Sequence, residues 1–418
     1  MGPHGPDPRR ARGRLTAPGA ALELLHPDGG ADVAVVEHPD VRVRLPPDGV
    51  ALLRLPARSR RAIAREAELE LGPAVLEIGG RLVPAERGAV RWALGAVAVS
   101  PRGRLAALAP GWALGLAAPA AIARPPGSRP LGAWLRAHGS GTSVVAARGA
   151  AFLLDGDRVS LAAKVGAGLP ARRELSEGRA LAELGPAARA AGADVPEAVE
   201  EGELAGRPLL VTTGLEGRPA SVLLAERPGR RDALLERIAG WLLRWNLATA
   251  SEAVVSRELL ERELLAPARA AGLPDSYVAE LERRGRAAEG RPVRLVAAHN
   301  DLTTANVLVA RDGRLAVVDW DTAAPRALPL GDLLYLLADA EAATRGFADR
   351  VAAFVAAPGG GHERRFRDAL GLDDAVADLC FHACWLRHVA NESLREEATR
   401  PFLEIARAVA TRRMRMGA

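Results

Sequence analysis

His299-Asn300-Asp301-Leu302-Thr303-Thr304-Ala305-Asn306 runs directly into Val307-Leu308-Val309-Ala310-Arg311-Asp312-Gly313-Arg314-Leu315-Ala316-Val317-Val318-Asp319-Trp320-Asp321. Two apolar runs flank Asp312-Gly313 in the second part, which predicts a hairpin closed by a two-residue turn. Pairing symmetric about that turn sets Asn306 opposite Asp319, with Cβ atoms roughly 5 Å apart. An amide oxygen and a carboxylate so placed can share a hard cation, and Mg²⁺ takes a few protein oxygens together with substrate phosphates. Asp301, earlier on the same tight loop, can then accept a proton from a substrate hydroxyl. An ordinary hairpin accounts for the Asn and Asp, since turns attract both. It does not account for a His and two further acids gathered at the same end.

Upstream, one lysine, Lys164, stands against 55 arginines in 418 residues, with no glutamine and four asparagines. Such a bias replaces Lys wherever positive charge alone suffices. A retained compact ammonium, in place of a planar fork, suits a tight space between phosphate oxygens. Lys164 lies in the apolar run Leu161–Val165, after the Gly/Ser-rich segment His138-Gly139-Ser140-Gly141-Thr142-Ser143. Around it the pattern predicts a helix over Leu131–Ala137 and strands over Val144–Ala147, Ala151–Leu154 and Val159–Val165. A hairpin turn is expected at Asp155-Gly156. A helix over Ala171–Leu184 closed by Gly185-Pro186 and a strand over Pro208–Thr212 follow, and beyond Gly214 the pattern is largely helical, interrupted by a strand pair between Val293 and Val318. A small β-rich part followed by a larger helical part suits a ligand held in a cleft between them.

The HxDxxxxN pattern from His299 to Asn306, followed by the Val318-Asp319-Trp320-Asp321 strand end, closely resembles the aminoglycoside phosphotransferase and choline kinase group of small-molecule kinases. The resemblance covers about residues 131–400 and implies an α+β, protein-kinase-like two-lobe fold, preceded here by an additional N-terminal α/β or α+β region. It implies an enzyme that transfers the γ-phosphate of ATP, with Mg²⁺, to an alcohol group of a small molecule. By that resemblance Asp301 is the catalytic base, Asn306 and Asp319 hold Mg²⁺, and His299 braces the loop rather than moving a proton. Lys164 matches the lysine that contacts the α- and β-phosphates, and its partner is a Glu on the next helix. Glu174 and Glu177 are three apart and so share a helix face; the family's spacing favours Glu177. Gly139, Ser140, Gly141, Thr142 and Ser143 resemble the phosphate-covering turn, where backbone N–H groups and hydroxyls reach oxygens. Leu210, Val211, Thr212 and Thr213 resemble the hinge whose backbone reads adenine. Asn300 stands where Gly is commoner in the family. Trp320 replaces the Phe-Gly of protein kinases and no Ala-Pro-Glu follows, both of which favour a small-molecule acceptor. Asp332 resembles the family's buried helix-start acid, and an N-cap role explains it.

The remaining sequence sets boundaries on this reading. Residues 1–130 form an N-terminal region without a chemical motif, 1–14 reading as a disordered tail with no signal peptide. Strands are expected at Val33–Glu37, Val41–Leu45 and Val50–Leu55, and a helix at Ser59–Leu71. Residues 131–213 and 214–418 are the expected lobes. The stretch Leu105–Ala123 is uncharged but broken by Pro110, Gly111, Gly115 and Pro119, so buried or loop-rich structure is expected over a membrane span. Net charge is +5, yet arginines alternate with acids instead of forming a stripe, which argues against nucleic acid. Cys380 and Cys384 share a helix face with His388; a metal site there is conceivable, but free thiols in a helix core, in a reducing cytoplasm, are the expectation. Trp241, Trp245 and Trp385 are the few aromatics available for a cationic cage. A sugar, an amino alcohol and an aminoglycoside all remain open as acceptor. A kinase-like nucleotide-binding or regulatory protein without transfer activity is the alternative, with a protein kinase behind it. Oligomeric state is not legible.

Overall fold

The computed structural model describes residues 33–37, 50–79, 81–97, 118, 120–124, 135–136, 138–147, 150–165, 176–204, 207–345, 360–394 and 401–416. The chain is mixed α+β and divides into two compact units, Met1–Gly168 with Ala198–Leu215, and Leu169–Glu197 with Glu216–Ala418. No division falls at residue 130, one falls at 215/216 beside the expected 213, and residues 169–197 join the second unit.

The first unit is built on a ten-stranded sheet. Its strands are β1 (Val33–Val36), β2 (Val50–Leu53), β3 (Glu70–Ile78), β4 (Arg81–Pro84), β5 (Ala120–Arg124), β6 (Ser143–Ala147), β7 (Ala150–Asp155), β8 (Arg158–Val165), β9 (Ala198–Leu204) and β10 (Arg207–Thr213). Their spatial order is β1-β2-β5-β3-β4-β6-β7-β8-β10-β9, and only β1 and β2 pair in parallel. Strands from either side of residue 130 meet in this sheet where Leu82 of β4 pairs with Ala146 of β6. Of the uncharged Ala-rich stretch, residues 120–123 lie on β5, where Ala120, Ala121 and Ala123 are buried. Among the described residues no helix is long and apolar enough to cross a membrane.

Among the described residues, two helices lie in this unit's N-terminal part, α1 (Ala57–Glu66) and α2 (Arg87–Gly95). The helix expected to reach Leu71 stops earlier, because Glu68 turns into the left-handed region at φ +53° and Leu71 already belongs to β3. Of the other expected elements, residues 41–45 and 131–134 lie outside the described residues. Helix α2 buries Ala89, Val90 and Ala93 against Val83, Val145 and Leu154, and Trp92 meets Phe152 at 5.1 Å between ring centroids. The β7–β8 hairpin pairs Asp155 with Arg158, so its turn is Gly156-Asp157, one residue later than the expected Asp155-Gly156. Gly156 takes φ +62°, the conformation such a turn requires and Gly supplies without strain.

The second unit opens with α3 (Glu177–Ala190), capped by Ser176, whose hydroxyl accepts the Arg179 N–H. Residues 171–175, including Glu174, lie outside the described residues. The helix does not end at Gly185-Pro186 as its sequence suggests; Pro186 sits inside it. A proline removes one hydrogen bond, and packing against α4 (Arg231–Thr249) carries the helix past it. The Trp241 indole donates to the Ala188 carbonyl at 3.1 Å, and Arg244 donates to that of Ala191 at 2.9 Å. Trp241 stacks on Trp245, which meets Trp320 edge-on at 5.3 Å, and Trp320 in turn meets His299 at 5.1 Å. This buried aromatic row joins α4 to the loop singled out in the sequence. A three-stranded sheet orders β11 (Ser251–Val254), β12 (Pro292–Ala298) and β15 (Ala324–Ala327). Hairpin strands β13 (Val307–Val309) and β14 (Leu315–Val317) sit between the two-residue strands Arg218–Pro219 and Ala193–Asp194. Helices α5 (Gly331–Arg345) and α6 (Asp374–Leu394) complete the surroundings of the site.

Candidate active site

Strand β12 delivers His299 at its end. The N–H groups of His299 and Asn300 donate to the two oxygens of Asp332, at 2.7 and 2.8 Å. Asp332 lies in the first turn of α5 and is buried. Burial pushes its carboxyl up from the ordinary value, against the opposing pull of His299 and these N–H groups. Its carboxylate thus accepts from the loop, a role the N-cap expectation did not contain. Two turns further along the same helix, Asp339 accepts both the N–H and the hydroxyl of Thr304, at 2.8 and 2.6 Å. Residues seven apart share a helix face, so α5 grips the loop at both ends. Asp339 was not among the residues expected from the sequence; its signal was a pair of acids seven apart, Asp332 and Asp339, flanking the apolar run Leu333–Ala338.

Between those grips the Asn306 amide donates to the Asp301 carbonyl at 2.9 Å and reaches the Asp301 carboxylate at 3.4 Å. This orients the Asn306 NH₂ toward Asp301 and leaves its Oδ1 as the atom able to face a cation. The expected register of the hairpin is one residue off. Val307 pairs with Val317 and Val309 with Leu315, and the Val318 N–H donates to the Asn306 carbonyl at 3.0 Å. Asn306 is therefore opposite Val318, and Asp319 lies one residue beyond. The cause is the turn. Only Gly313, at φ +91°, takes a positive φ there, whereas a two-residue type I′ turn needs two such residues. The Asp312 carboxylate instead accepts the Arg314 N–H at 3.0 Å, closing a three-residue loop.

Asp319 itself turns at φ +69°, and the turn it begins is bound back to the loop. The Thr322 hydroxyl donates to the His299 carbonyl at 2.9 Å, and the Asn300 amide donates to the Thr322 carbonyl at 2.9 Å. His299 Nε2 lies 3.0 Å from the Val318 carbonyl; a carbonyl only accepts, so Nε2 carries the proton. Burial pulls the His299 imidazole below its ordinary pKa, so this buried ring stays neutral. Glu177, in the first turn of α3, accepts the Trp320 N–H at 3.2 Å. Glu177, His299, Asp301, Asn306 and Asp319 thus all fall in one hydrogen-bonded assembly of the second unit.

The other expected residues belong to the first unit. Lys164 lies on β8, between Ala150 of β7 and Leu210 of β10. Val211, Thr212 and Thr213 lie on β10, paired to β9 through Thr212 and to β8 through Thr213. The segment Gly139–Ser143 leads into β6 rather than linking two strands. A Cβ on Gly139 would stand 2.6 Å from Leu161, and one on Gly141 2.7 Å from the Leu154 carbonyl. The Thr142 N–H donates to that carbonyl at 3.0 Å, and the Ser143 hydroxyl donates to Glu86, just ahead of α2. Two of the donors expected to meet phosphate therefore have protein partners. The turn between β6 and β7, residues 148–149, lies outside the described residues.

Among the described residues no three His, Cys, Asp or Glu side chains are grouped to hold a metal. The Asn306 amide oxygen and the Asp319 carboxylate are of the oxygen-donor type that Mg²⁺ takes together with phosphate oxygens and water. Cys380 and Cys384 are buried free thiols, pushed up by burial. His388 is taken up between the rings of Tyr335 and Phe402. Trp241, Trp245 and Trp385 are buried, so none of them forms an open cage for a cation.

A model of the phosphotransferase enzyme family matches residues 152–368. Among solved structures, a thermostable mutant of aminoglycoside phosphotransferase APH(4)-Ia is similar at 18% identity over 64% of this chain and 91% of that one, with a TM-score of 0.43. Aminoglycoside phosphotransferase APH(3'')-Id from Streptomyces rimosus, in complex with ADP and streptomycin, is similar at 21% identity over 56% of this chain and 88% of that one, with a TM-score of 0.33. Macrolide 2'-phosphotransferase MphH from Brachybacterium faecium is similar at 17% identity over 64% of this chain and 88% of that one, with a TM-score of 0.34. No curated protein matches the chain in sequence.

Proposed function

The chain belongs to the phosphotransferase enzyme family, and from that premise we propose that it transfers the γ-phosphate of ATP to a hydroxyl of a small molecule, with Mg²⁺. The observation that carries this reading is the Asp301–Asn306 contact, on a loop fastened to α5 through Asp332 and Asp339 and to the Asp319 turn through Thr322.

The chemistry follows from what these side chains can do. Asp301 accepts the proton of the acceptor hydroxyl as its oxygen bonds to phosphorus and the bond from phosphorus to the departing ADP oxygen breaks. The Asn306 NH₂ fixes the direction of the Asp301 carboxylate. Asn306 Oδ1 and the Asp319 carboxylate are the oxygens that would hold Mg²⁺, which when bound neutralises charge on the transferring phosphate. His299, neutral and buried, braces the carbonyl of Val318 and so the approach to Asp319. Glu177 holds the backbone just past Asp319 through Trp320. Lys164 supplies an ammonium for the α- and β-phosphates. The acceptor class proposed is a sugar, an amino alcohol or an aminoglycoside, each of which offers an alcohol group for the transfer.

The test is ATP turnover by the whole chain with Mg²⁺ against a panel of sugars, amino alcohols and aminoglycosides, with Asp301→Ala alongside. Acceptor-stimulated ADP release that disappears in the variant supports the reading. Binding of Mg-ATP with no acceptor raising turnover would sink it in favour of a nucleotide-binding protein.

A further inference from the structure

Asn300 adopts φ +61°, a conformation that Gly takes freely and Asn tolerates. A glycine would also donate its N–H to Asp332. What the asparagine adds is its amide, and both ends of that amide are used. Nδ2 donates to the Thr322 carbonyl at 2.9 Å, and Oδ1 accepts from the Arg387 guanidinium of α6. Arg387 also donates to Glu263, which accepts from Arg262 at 2.9 Å as well. The Glu263 side chain is only 8% exposed. Burial pushes its carboxyl up, but the Arg387 and Arg262 guanidiniums outweigh that and hold it below the ordinary range. The guanidinium is thus pinned between an amide and a buried carboxylate, a geometry its planar fork suits. A small cavity of about 20 Å³ lies beside Asn300, lined also by Asp332, Cys384 and Arg387. The two hydrogen bonds together set the direction of the amide.

We propose that Asn300, aimed by Arg387, is a positioning residue that locks the Asp301 loop to the turn carrying Asp319. The proposal rests on the phosphotransfer reading of that site. The two halves of the chemistry, the base and the metal-side carboxylate, lie on separate loops, and the Asn300 amide is a side-chain link between them. Arg387 and Glu263 act at one remove, by holding that amide still.

The experiment uses the full chain and four variants: Asn300→Gly, Arg387→Met, Arg387→Lys and the Asn300→Gly/Arg387→Met double. Steady-state kinetics are read together with amide hydrogen exchange in peptides covering residues 299–306 and 319–323. In Asn300→Gly and Arg387→Met, kcat falls at least about tenfold with the KM for ATP within about twofold, the signature of lost positioning rather than lost nucleotide binding. The double variant falls no further than the worse single, because both cut one tether, and Arg387→Lys recovers part of the loss. Exchange in both peptides rises while the global unfolding transition stays in place. Wild-type kcat in Asn300→Gly, or losses that multiply in the double, overturns the proposal. Should Arg387→Met fail to fold, Asn300→Gly decides alone. Should wild type show no turnover with any acceptor, the phosphotransfer reading fails by itself, and unchanged exchange in Asn300→Gly still overturns the tether.

Discussion

The second unit holds its proposed chemistry by side chains, and the first holds its share by a backbone ladder. Around Asp301, four residues (Asp332, Asp339, Thr322 and Asn306) bind the loop through hydrogen bonds that each need a particular side chain. Around Lys164, the neighbouring strands β7 and β10 fix the residue through main-chain pairing that tolerates many side chains. The difference teaches where single substitutions act. In the second unit they disturb the geometry of the loop as well as its chemistry; in the first the strand pairing that places the residue survives them.

The largest expected effect sharpens this contrast at its centre. Asp301→Ala should lower kcat by roughly 10³-fold, the range for loss of a general base, with folding intact by circular dichroism. Lys164→Arg should lower kcat/KM by about 10²-fold with the fold retained by circular dichroism, because main-chain pairing holds β8 in place. Wild-type kinetics in Lys164→Arg would remove the lysine from the phosphate site. Asp332→Asn breaks the comparison from the other side. The new NH₂ replaces one of the two accepting oxygens and sets a donor against a loop N–H, so denaturant unfolding should show a loss of about 2 kcal/mol together with a fall in kcat.

Smaller effects follow from His299 and Ser143. His299 has a lowered native pKa from burial, so below an unfolded value of about 6.5 the unfolded chain takes up a proton that the native state refuses. Its contribution to stability is therefore full above that value and declines on acidification, by up to about 1.4 kcal/mol per pH unit. Asp332 has the opposite sign: its raised pKa gives a contribution that is lost as pH rises. The difference between wild type and His299→Gln in unfolding free energy at pH 7.5 and 5.5 isolates the histidine; an unchanged difference would show that it does not titrate on unfolding. Ser143→Ala should cost about 1 kcal/mol through its lost bond to Glu86 and leave the KM for ATP as it is. A tenfold rise in that KM would return Ser143 to the phosphates.

The parts of the candidate site that are legible in the sequence are those whose signals are local. Asn306 and Asp301 are joined within one tight loop, and the apolar alternation around Lys164 marks β8 with nearly its observed ends. Other features depended on partners distant in sequence. Pro186 reads as a stop, yet Trp241 and Arg244 on another helix hold the chain helical beyond it. Asp312-Gly313 reads as a two-residue turn, and the choice of a three-residue loop moved Asn306 opposite Val318. A one-residue change of register is small along the chain and large across a hairpin. The Gly139–Ser143 segment has the composition of a phosphate turn, while its glycines serve close approach to Leu161 and Leu154.

By itself the sequence singled out the residues proposed to react, Asp301, Asn306 and Asp319 by side-chain type and short spacing and Lys164 by its retention in an arginine-rich chain. Only the tertiary structure decided how that set is held. The grip of Asp332 and Asp339, the Asn300–Arg387–Glu263 chain and the sheet shared across residue 130 join residues tens of positions apart. Such contacts form where burial leaves polar groups no alternative to one another, and that condition exists only once the core has closed.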